Sequence, residues 1–202
     1  MSATAARSRV LVLFAHPALQ KSRVNLRLAA AARAVEGVTF HDLYEVYPHF
    51  QIDVTREQAL LAAHDVIVFQ HPFFWYSGPA LLKEWLDLVL EFGWAYGSGG
   101  GQLRGKINFS AITTGGGDHA YTRAGLNHFT MRELLAPFEQ TALLCGMTWL
   151  PPFIVHGTVR LTDGAEIERH AADYAQLLTA LRDGKFPVSA AAALPRLNPP
   201  AA

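Results

Sequence analysis

The feature that most constrains this chain is a set of short, continuous apolar runs that alternate with helix-forming segments. Residues 9–15 and 65–70 consist mostly of β-forming apolar residues, without the polar alternation of a half-exposed strand. Such runs are typical of strands that are buried on both faces in a parallel sheet. Further strands are predicted at residues 38–43, 106–113 and 148–159.

The segments between these strands have the composition and start signals of helices. Thr55 is a candidate N-cap, with Gln58 three positions later, and Pro79 is a candidate first-turn residue. Helices are predicted at residues 24–35, 55–63, 79–91, 131–144 and 163–183. Strand and helix alternate five times, which predicts an α/β fold with an open five-stranded parallel sheet, strand order 2-1-3-4-5, and helices on both faces.

We expect residues 9–187 to form one domain, preceded by a flexible N-terminus (1–8) and followed by a disordered Ala/Pro-rich tail (188–202). Half of the 202 residues are hydrophobic and 17% are charged, enough to build one substantial core. The formal net charge is zero, so the sequence lacks the basic surface that nucleic-acid binding needs.

Cysteine usage and hydropathy indicate the compartment. The single cysteine, Cys145, cannot form an internal disulfide, which indicates a reducing environment. The apolar runs are too short or too interrupted to span a bilayer. We therefore expect a cytoplasmic protein, peripheral to the inner membrane only through a partner.

The first candidate site loop follows the first predicted strand. In an open α/β sheet, ligands bind beyond the carboxyl ends of the strands where the strand order reverses, here between the first and third strands. The Ser22 hydroxyl and the N–H groups of residues 23–25 could hold a phosphate there, and the His16 ring could add a donor. Ser22 could equally be only the N-cap of the helix. Neither a G-x-G-x-x-G motif nor a P-loop is present.

The second and third loops follow the third and fourth strands. Four consecutive aromatic residues, 73–76, are hard to bury in a loop and could form a wall beside a flat ring, or else a core or dimer contact. Three glycines, 115–117, follow Thr114 and would let the backbone approach a ligand closely. The three loops together predict one ligand site.

Two kinds of hydrolase are poorly supported. The nine histidines show no H-x-x-H or H-E-x-x-H spacing, so no metal site is predicted. A serine hydrolase lacks support because no G-x-S-x-G motif occurs.

Five motifs resemble those of the NAD(P)H:quinone oxidoreductase family. They are His16-Pro-x4-Ser22-x2-Asn25, Gln70-His-Pro-x2-Trp-Tyr76, Pro79-x-Leu-Leu-Lys-x-Trp85, Gly93-Trp-Ala-Tyr-Gly97 and Thr113-Thr-Gly-Gly-Gly117. The likeness covers roughly residues 9–185. It is strongest to the bacterial branch of ancillary subunits of glutathione-regulated potassium-efflux systems, which the segment 145–153 supports further.

The resemblance implies a flavodoxin-like homodimer that binds FMN at the carboxyl edge of the sheet, the short chain favouring FMN over FAD. By that resemblance, three groups of residues would bind the flavin. The phosphate would contact His16, Ser22, Arg23, Val24 and Asn25. The isoalloxazine would be bordered by Phe73, Phe74, Trp75 and Tyr76. Its polar rim would contact Thr114, Gly115, Gly116 and Gly117.

The resemblance also implies the activity, which is two-electron, ping-pong hydride transfer from NAD(P)H through FMN to a quinone. Tyr121 matches the family's catalytic Tyr. Its catalytic His aligns with Asn127, and His128 follows one residue later; either residue could replace that His, and His128 is the predicted catalytic residue. Phe74 stands where the family often has Gln. The alternative function is a regulatory ancillary subunit that binds and activates a membrane potassium-efflux transporter.

Overall fold

The computed structural model describes residues 7–199, which fold around one parallel sheet. Its strands are β1 (Val10–Phe14), β2 (Val38–Asp42), β3 (Val66–Pro72), β4 (Ile107–Thr113), β5 (Thr148–Trp149) and β6 (Phe153–Val155). The strand order is β2-β1-β3-β4-β5, and β6 pairs with β4 as well. The predicted fold class and the order 2-1-3-4-5 are confirmed.

The fifth position of the sheet differs from the single strand predicted over residues 148–159. There β5 pairs with the start of β4 and β6 with its end. Pro151 and Pro152 lie between the two strands, and neither residue has an N–H to donate to a ladder. The strand therefore breaks at the prolines, and the residues after Val155 form a loop.

Eight α-helices and two 3-10 turns connect the strands in residues 7–199. The helices are α1 (Arg23–Ala34), α2 (Leu43–Val46), α3 (Val54–Ala62), α4 (Ala80–Val89), α5 (Met131–Leu134), α6 (Ala136–Leu144), α7 (Gly164–Arg182) and α8 (Val188–Ala191). The 3-10 turns are Leu19–Lys21 and Asp118–Ala120.

Two helix starts differ from the sequence prediction. The N-cap of α3 is Asp53, whose side chain accepts a hydrogen bond from the Arg56 N–H, and Thr55 lies inside the helix. The helix predicted at 131–144 is two helices that meet at Leu135. Pro137 cannot donate the hydrogen bond that would continue α5, so a new helix starts around it.

Alternate residues of β1 point to opposite faces of the sheet and supply two cores. Val10 and Val12 pack with α1 and α7 on one face, whereas Leu11 and Leu13 pack with α3, α4 and α6 on the other. The sheet is therefore covered on both sides, which leaves the carboxyl ends of its strands as the open edge for a ligand.

The tail predicted to be disordered is ordered as far as residue 199. Leu197 is buried, and the Asn198 carboxamide bonds both the N–H and the C=O of Ile154, each at 2.8 Å. The outer edge of β6 has no neighbouring strand in residues 7–199, and Asn198 supplies the bonds that such a strand would make.

Both chain ends are described only in part. The predicted flexible N-terminus lies outside the described residues at positions 1–6, whereas the Ser8 N–H donates to the Arg182 carbonyl at 2.7 Å. The last part of the predicted tail, 200–202, lies outside them too. Within residues 7–199, no helix is both long and apolar enough to cross a membrane.

Candidate functional site

A cleft of about 490 Å³ opens at the carboxyl ends of β1, β3 and β4. It brings together most of the predicted first-loop residues with parts of the second and third loops. Predicted residues in its lining are His16, Ser22, Arg23, Val24, Asn25, Phe73, Phe74 and Gly115. Lys21, Pro72, Thr113, Thr158 and Val159 complete the lining, which contains no carboxylate. The cleft is therefore suited to an anionic ligand.

The start of α1 forms one end of this cleft. Ser22 is its N-cap, because the Ser22 Oγ accepts a hydrogen bond from the Asn25 N–H at 3.1 Å. The Arg23 and Val24 N–H groups belong to the first turn and find no acceptor within residues 7–199. The side chains of Lys21 and Arg23 add positive charge to these free donors. Ser22 thus caps the helix at a point where the helix can also bind an anion.

Asn25 is the most constrained polar side chain of the cleft, with 2% of its surface exposed. Its Nδ2 donates to Thr113 Oγ1 at 2.9 Å and to Ser22 Oγ at 3.1 Å. Its Oδ1 is buried without a hydrogen-bond partner in the described chain. An unsatisfied buried acceptor costs about 1–3 kcal/mol, so Asn25 is oriented at a cost to stability.

His16 supplies a neutral donor at the end of β1. Its Nδ1 accepts a hydrogen bond from the Ala18 N–H at 3.1 Å, so the proton of the neutral ring is on Nε2. Burial lowers the pKa of His16, which keeps the ring neutral near pH 7. The ring contacts Phe74 edge-on, with 6.0 Å between the ring centroids.

The aromatic segment is a tight turn with a strained backbone. The Ser77 N–H donates to the Phe74 carbonyl at 3.0 Å, and the two central residues, Trp75 and Tyr76, have φ of +50° and +63°. Asn and Gly are the usual residues in such a turn, because left-handed backbone costs other residues about 1–2 kcal/mol each. Trp75 is nevertheless 93% exposed. Contacts of Tyr76 with Phe73 and Asn127 hold the turn in this conformation, and backbone strain of this kind is typical of binding sites.

A second cleft, of about 310 Å³, lies on the other side of Phe73. Its walls include Trp75, Gly116, Tyr121 and Asn127. The Tyr76 hydroxyl donates to Asn127 Oδ1 at 3.1 Å, which ties the aromatic turn to the loop after Tyr121. Phe73 lines both clefts, so the two clefts adjoin at this side chain.

Asn127, and not His128, lies in this second cleft. His128 is exposed, has φ of +59° and belongs to neither cleft. Its N–H donates to the Gly125 carbonyl at 3.1 Å, closing a turn directly after Asn127. Of the two predicted catalytic residues, the structure therefore places Tyr121 in the cleft and His128 outside it. The side chain beside Tyr121 in the cleft is the amide of Asn127.

The glycine loop gives Tyr121 its place. A Cβ on Gly116 would lie 3.3 Å from the Tyr121 ring, so the absence of a side chain lets the ring pack on the loop backbone. Thr114 fixes the start of the loop: its hydroxyl donates to the Gly116 carbonyl at 2.8 Å and its N–H donates to the Val155 carbonyl at 2.9 Å. Gly117 similarly leaves room for His119.

The sequence analysis missed the loop after β6. The Thr158 N–H donates to the Thr114 carbonyl at 2.9 Å, and the Arg23 guanidinium donates to the carbonyls of Thr158 and Val159 at 3.4 Å. His156 contacts Thr114 and Tyr121. These residues directly follow β6, so they lie at the same edge of the sheet as the site. They were not predicted as site residues because the fifth strand was predicted to continue to residue 159.

The chain matches the family model described as a flavodoxin-like fold over residues 8–178. It therefore belongs to the flavodoxin-like family. Among curated proteins it is similar to the glutathione-regulated potassium-efflux system ancillary protein KefG of Enterobacter sp. (strain 638), with 50% identity over 178 residues, 88% of this chain and 95% of KefG. The resemblance inferred from the motifs is confirmed.

Solved structures with similar folds carry several names. The general stress protein 14 of Treponema denticola, in complex with FMN, has a TM-score of 0.81, 40% identity and coverage of 86% of this chain and 99% of that one. An NADPH-quinone reductase from P. pentosaceus has a TM-score of 0.76, 33% identity and coverage of 84% and 96%. A chain described as a thermophilic tryptophan halogenase from Streptomycin violaceusniger has a TM-score of 0.81, 43% identity and coverage of 84% and 98%. Because these names differ, the activity has to be argued from the site.

Proposed function

We propose that this protein is an FMN-dependent NAD(P)H:quinone oxidoreductase. The observation that carries the proposal is a pair of clefts that adjoin at Phe73, one with free anion donors and the other with the exposed aromatic turn. The presence of FMN in the Treponema denticola structure and the naming of the P. pentosaceus protein as an NADPH-quinone reductase support it.

The residues present fit FMN. Its phosphate would be held by the N–H groups of Arg23 and Val24, the Ser22 hydroxyl and His16 Nε2, in a lining without carboxylates. Its flat ring would lie between the aromatic turn, 73–76, and the glycine loop, 114–117. The orphaned Asn25 Oδ1 would gain a donor from the ligand or its water.

Bound FMN would accept a hydride from NAD(P)H and pass two electrons to a quinone. Donor and acceptor would use the second cleft in turn, because it is the part of the site lined by Tyr121 and Asn127. Tyr121 would donate from its hydroxyl to negative charge that develops on the flavin or the quinone oxygen.

Asn127 would take the part predicted for His128. Its Oδ1 is occupied by the Tyr76 hydroxyl, so the Nδ2 donors remain for a ligand oxygen. An amide can stabilise negative charge but cannot deliver a proton near neutral pH. We therefore expect no acid–base step from residue 127, and Tyr121 is left as the proton donor.

The test is quinone-dependent NAD(P)H oxidation by the purified, FMN-loaded protein. Tyr121→Phe should lower kcat by about 10²-fold, the lower end for loss of a general acid. Tyr44→Phe, at a tyrosine outside both clefts and outside the groove between α4 and α6, should leave kcat unchanged. Failure to bind FMN, or FMN binding without quinone-dependent turnover, would overturn the proposal.

A second candidate function is supported by the KefG relatives. On this reading the protein also binds and activates a membrane potassium-efflux transporter, from a cytoplasmic position at the inner membrane. Co-purification with a transporter of that class, and faster potassium efflux from cells that make both proteins, would support it. Unchanged stimulation by Tyr121→Phe would show that the two roles are separable.

We also propose that the protein is a homodimer. A groove of about 310 Å³ between α4 and α6 is lined in part by Leu86, Leu90, Tyr96 and Leu144. Leu144 is exposed, as is Phe92 in the turn that follows α4. Exposed apolar side chains around a groove fit an interface between two copies. Leu144→Asp should give a monomer by light scattering, whereas an unchanged mass would exclude this face.

A further inference from the structure

We propose that His156 is a positioning residue of the reaction site, held in place by the C-terminal segment 193–198. It would hold the loop 114–117 and the Tyr121 ring, while Arg196 pairs with Asp118 beside the ring and balances that carboxylate. The kinetic part of this inference rests on the proposed function; the structural part does not.

His156 lies between the glycine loop and Tyr121. Its Nδ1 is 3.1 Å from Thr114 Oγ1, and its ring centroid is 5.5 Å from that of Tyr121. The side chain is nearly buried. A change at His156 would therefore reach both the loop that borders the flavin and the tyrosine proposed as proton donor.

The hydrogen bonds of Thr114 and the Gly116 carbonyl beside the ring favour one tautomer of His156. The Thr114 hydroxyl has one hydrogen, and it donates that hydrogen to the Gly116 carbonyl, which can only accept. The hydroxyl must therefore accept from His156, so Nδ1 carries a proton and Nε2 is bare in the neutral ring. That Nε2 lies 3.4 Å from Asp118 Oδ1. Two acceptors face each other there unless the carboxylate is balanced or the ring gains a second proton.

Arg196 balances that carboxylate. Its Nη1 lies 3.1 Å from Asp118 Oδ2, on the side of Asp118 away from His156. Burial lowers the pKa of His156, Asp118 raises it and Arg196 lowers it again, with a net downward shift. The other groups at the ring are Thr114, Tyr121 and the Gly116 carbonyl. With Arg196 in place, the neutral ring is favoured and keeps its contacts with the Thr114 hydroxyl and the Gly116 carbonyl.

The C-terminal segment is anchored on both sides of Arg196. Leu197 is buried and its N–H donates to the Pro152 carbonyl at 2.9 Å, and Asn198 pairs with Ile154. Leu194, Pro195 and Arg196 also line a cavity of about 480 Å³ together with Tyr121 and His156. The segment thus reaches the reaction site while it covers the edge of β6.

Two substitutions of His156 separate positioning from simple packing. Asn can place Nδ2 where His has Nδ1 and can still donate to Thr114, whereas Leu fills similar space without a donor. His156→Asn should retain FMN affinity and most turnover, and His156→Leu should lose about tenfold in kcat with little change in KM for the quinone. Equal turnover by wild type and His156→Leu would overturn the proposal, as would equal losses in the two variants.

The role of the C-terminal segment is tested by NMR titration of the His156 ring in the protein without FMN. Arg196→Ala should raise the pKa of His156, and Asp118→Asn should lower it. Arg196→Lys should behave like wild type. If Arg196→Ala leaves the pKa of His156 unchanged, the segment does not act on it. This readout needs no quinone turnover, so it distinguishes failure of this inference from failure of the proposed function.

Discussion

Two polar clusters of this molecule contrast in how they use buried hydrogen-bonding groups. Glu57, in the first turn of α3, is fully buried and accepts from His41 Nε2 at 2.9 Å, the Tyr47 hydroxyl at 2.6 Å and Trp85 Nε1 at 2.8 Å. Asn25, in the first turn of α1, is almost as buried, yet its Oδ1 has no partner in the described chain. Both side chains point inward from the start of a helix, but only the Glu57 carboxylate has hydrogen-bond donors for both of its oxygens.

We interpret this difference as that between Glu57, which stabilises the fold, and Asn25, which we propose binds the ligand. A buried charge is tolerated when it is paired and fully hydrogen-bonded, as Glu57 is. An orphaned acceptor beside free N–H groups and strained aromatic residues costs stability in the empty protein, and bound ligand recovers that cost. Substitutions at Glu57 should therefore change stability, and substitutions at Asn25 should change FMN binding.

The largest effect is expected for Glu57→Ala. It removes the shared acceptor of three buried donors and should lower the free energy of unfolding by about 3–5 kcal/mol. Urea denaturation monitored by tryptophan fluorescence measures this. The FMN affinity of the folded fraction should stay unchanged. Normal stability together with a loss of FMN binding would show that Glu57 acts in binding and not in stabilising the fold.

The same cluster predicts a pH dependence. Burial raises the pKa of Glu57, but the bonds from His41, Tyr47 and Trp85 outweigh burial, so the pKa is lowered from 4.5 in the folded protein. A depressed pKa contributes stability above the unfolded value, and that stability is lost as pH falls below it. Glu57→Gln should therefore show a weaker loss of stability between pH 5 and pH 3 than wild type.

Asn25→Leu should have a smaller effect on stability and a larger one on binding. The variant loses two hydrogen bonds but also removes the orphaned Oδ1, so we expect a net loss of about 1 kcal/mol. The Kd for FMN should rise by about tenfold or more, equivalent to 1.4 kcal/mol. Isothermal titration calorimetry measures the Kd; an unchanged value would mean that Asn25 is not a ligand-binding residue.

The two helix caps at Ser22 and Asp163 allow a matched comparison. Each accepts a backbone N–H at a helix start, Ser22 in α1 and Asp163 in α7. Ser22→Ala and Asp163→Ala should each cost about 1 kcal/mol in thermal unfolding. Only Ser22→Ala should also weaken FMN binding. Equal FMN affinities in the two variants would show that Ser22 is a cap alone.

The smallest effect is expected for Trp75→Asn. Asn tolerates left-handed backbone, so this change should raise the free energy of unfolding of the FMN-free protein by about 0.5–1 kcal/mol. FMN affinity should fall, because the exposed aromatic face is lost. A variant that is no more stable than wild type would show that the turn is not strained.

The order of the sheet and the position of the site could be predicted because both follow from local patterns. Apolar runs define the strands, and the strand order defines the site edge. The pattern of residues 148–159 did not show where the fifth strand ends. His156, which follows that strand directly, was therefore not predicted as a site residue. Asn127 and His128 are neighbours on one loop, and the sequence does not show which of them lines the second cleft. In the structure the Tyr76 hydroxyl bonds Asn127, which lies in the cleft. The three hydrogen bonds to Glu57 could not be predicted, since His41, Tyr47 and Trp85 come from other elements of the chain.

The central claim is that the unsatisfied cluster at the start of α1 is an FMN site, and an FMN titration of the purified protein tests it most directly. The account predicts saturable quenching of flavin fluorescence with one FMN per chain, an affinity weakened by Asn25→Leu and the affinity of wild type in Glu57→Gln. No saturable binding, or equal weakening by both substitutions, would contradict it.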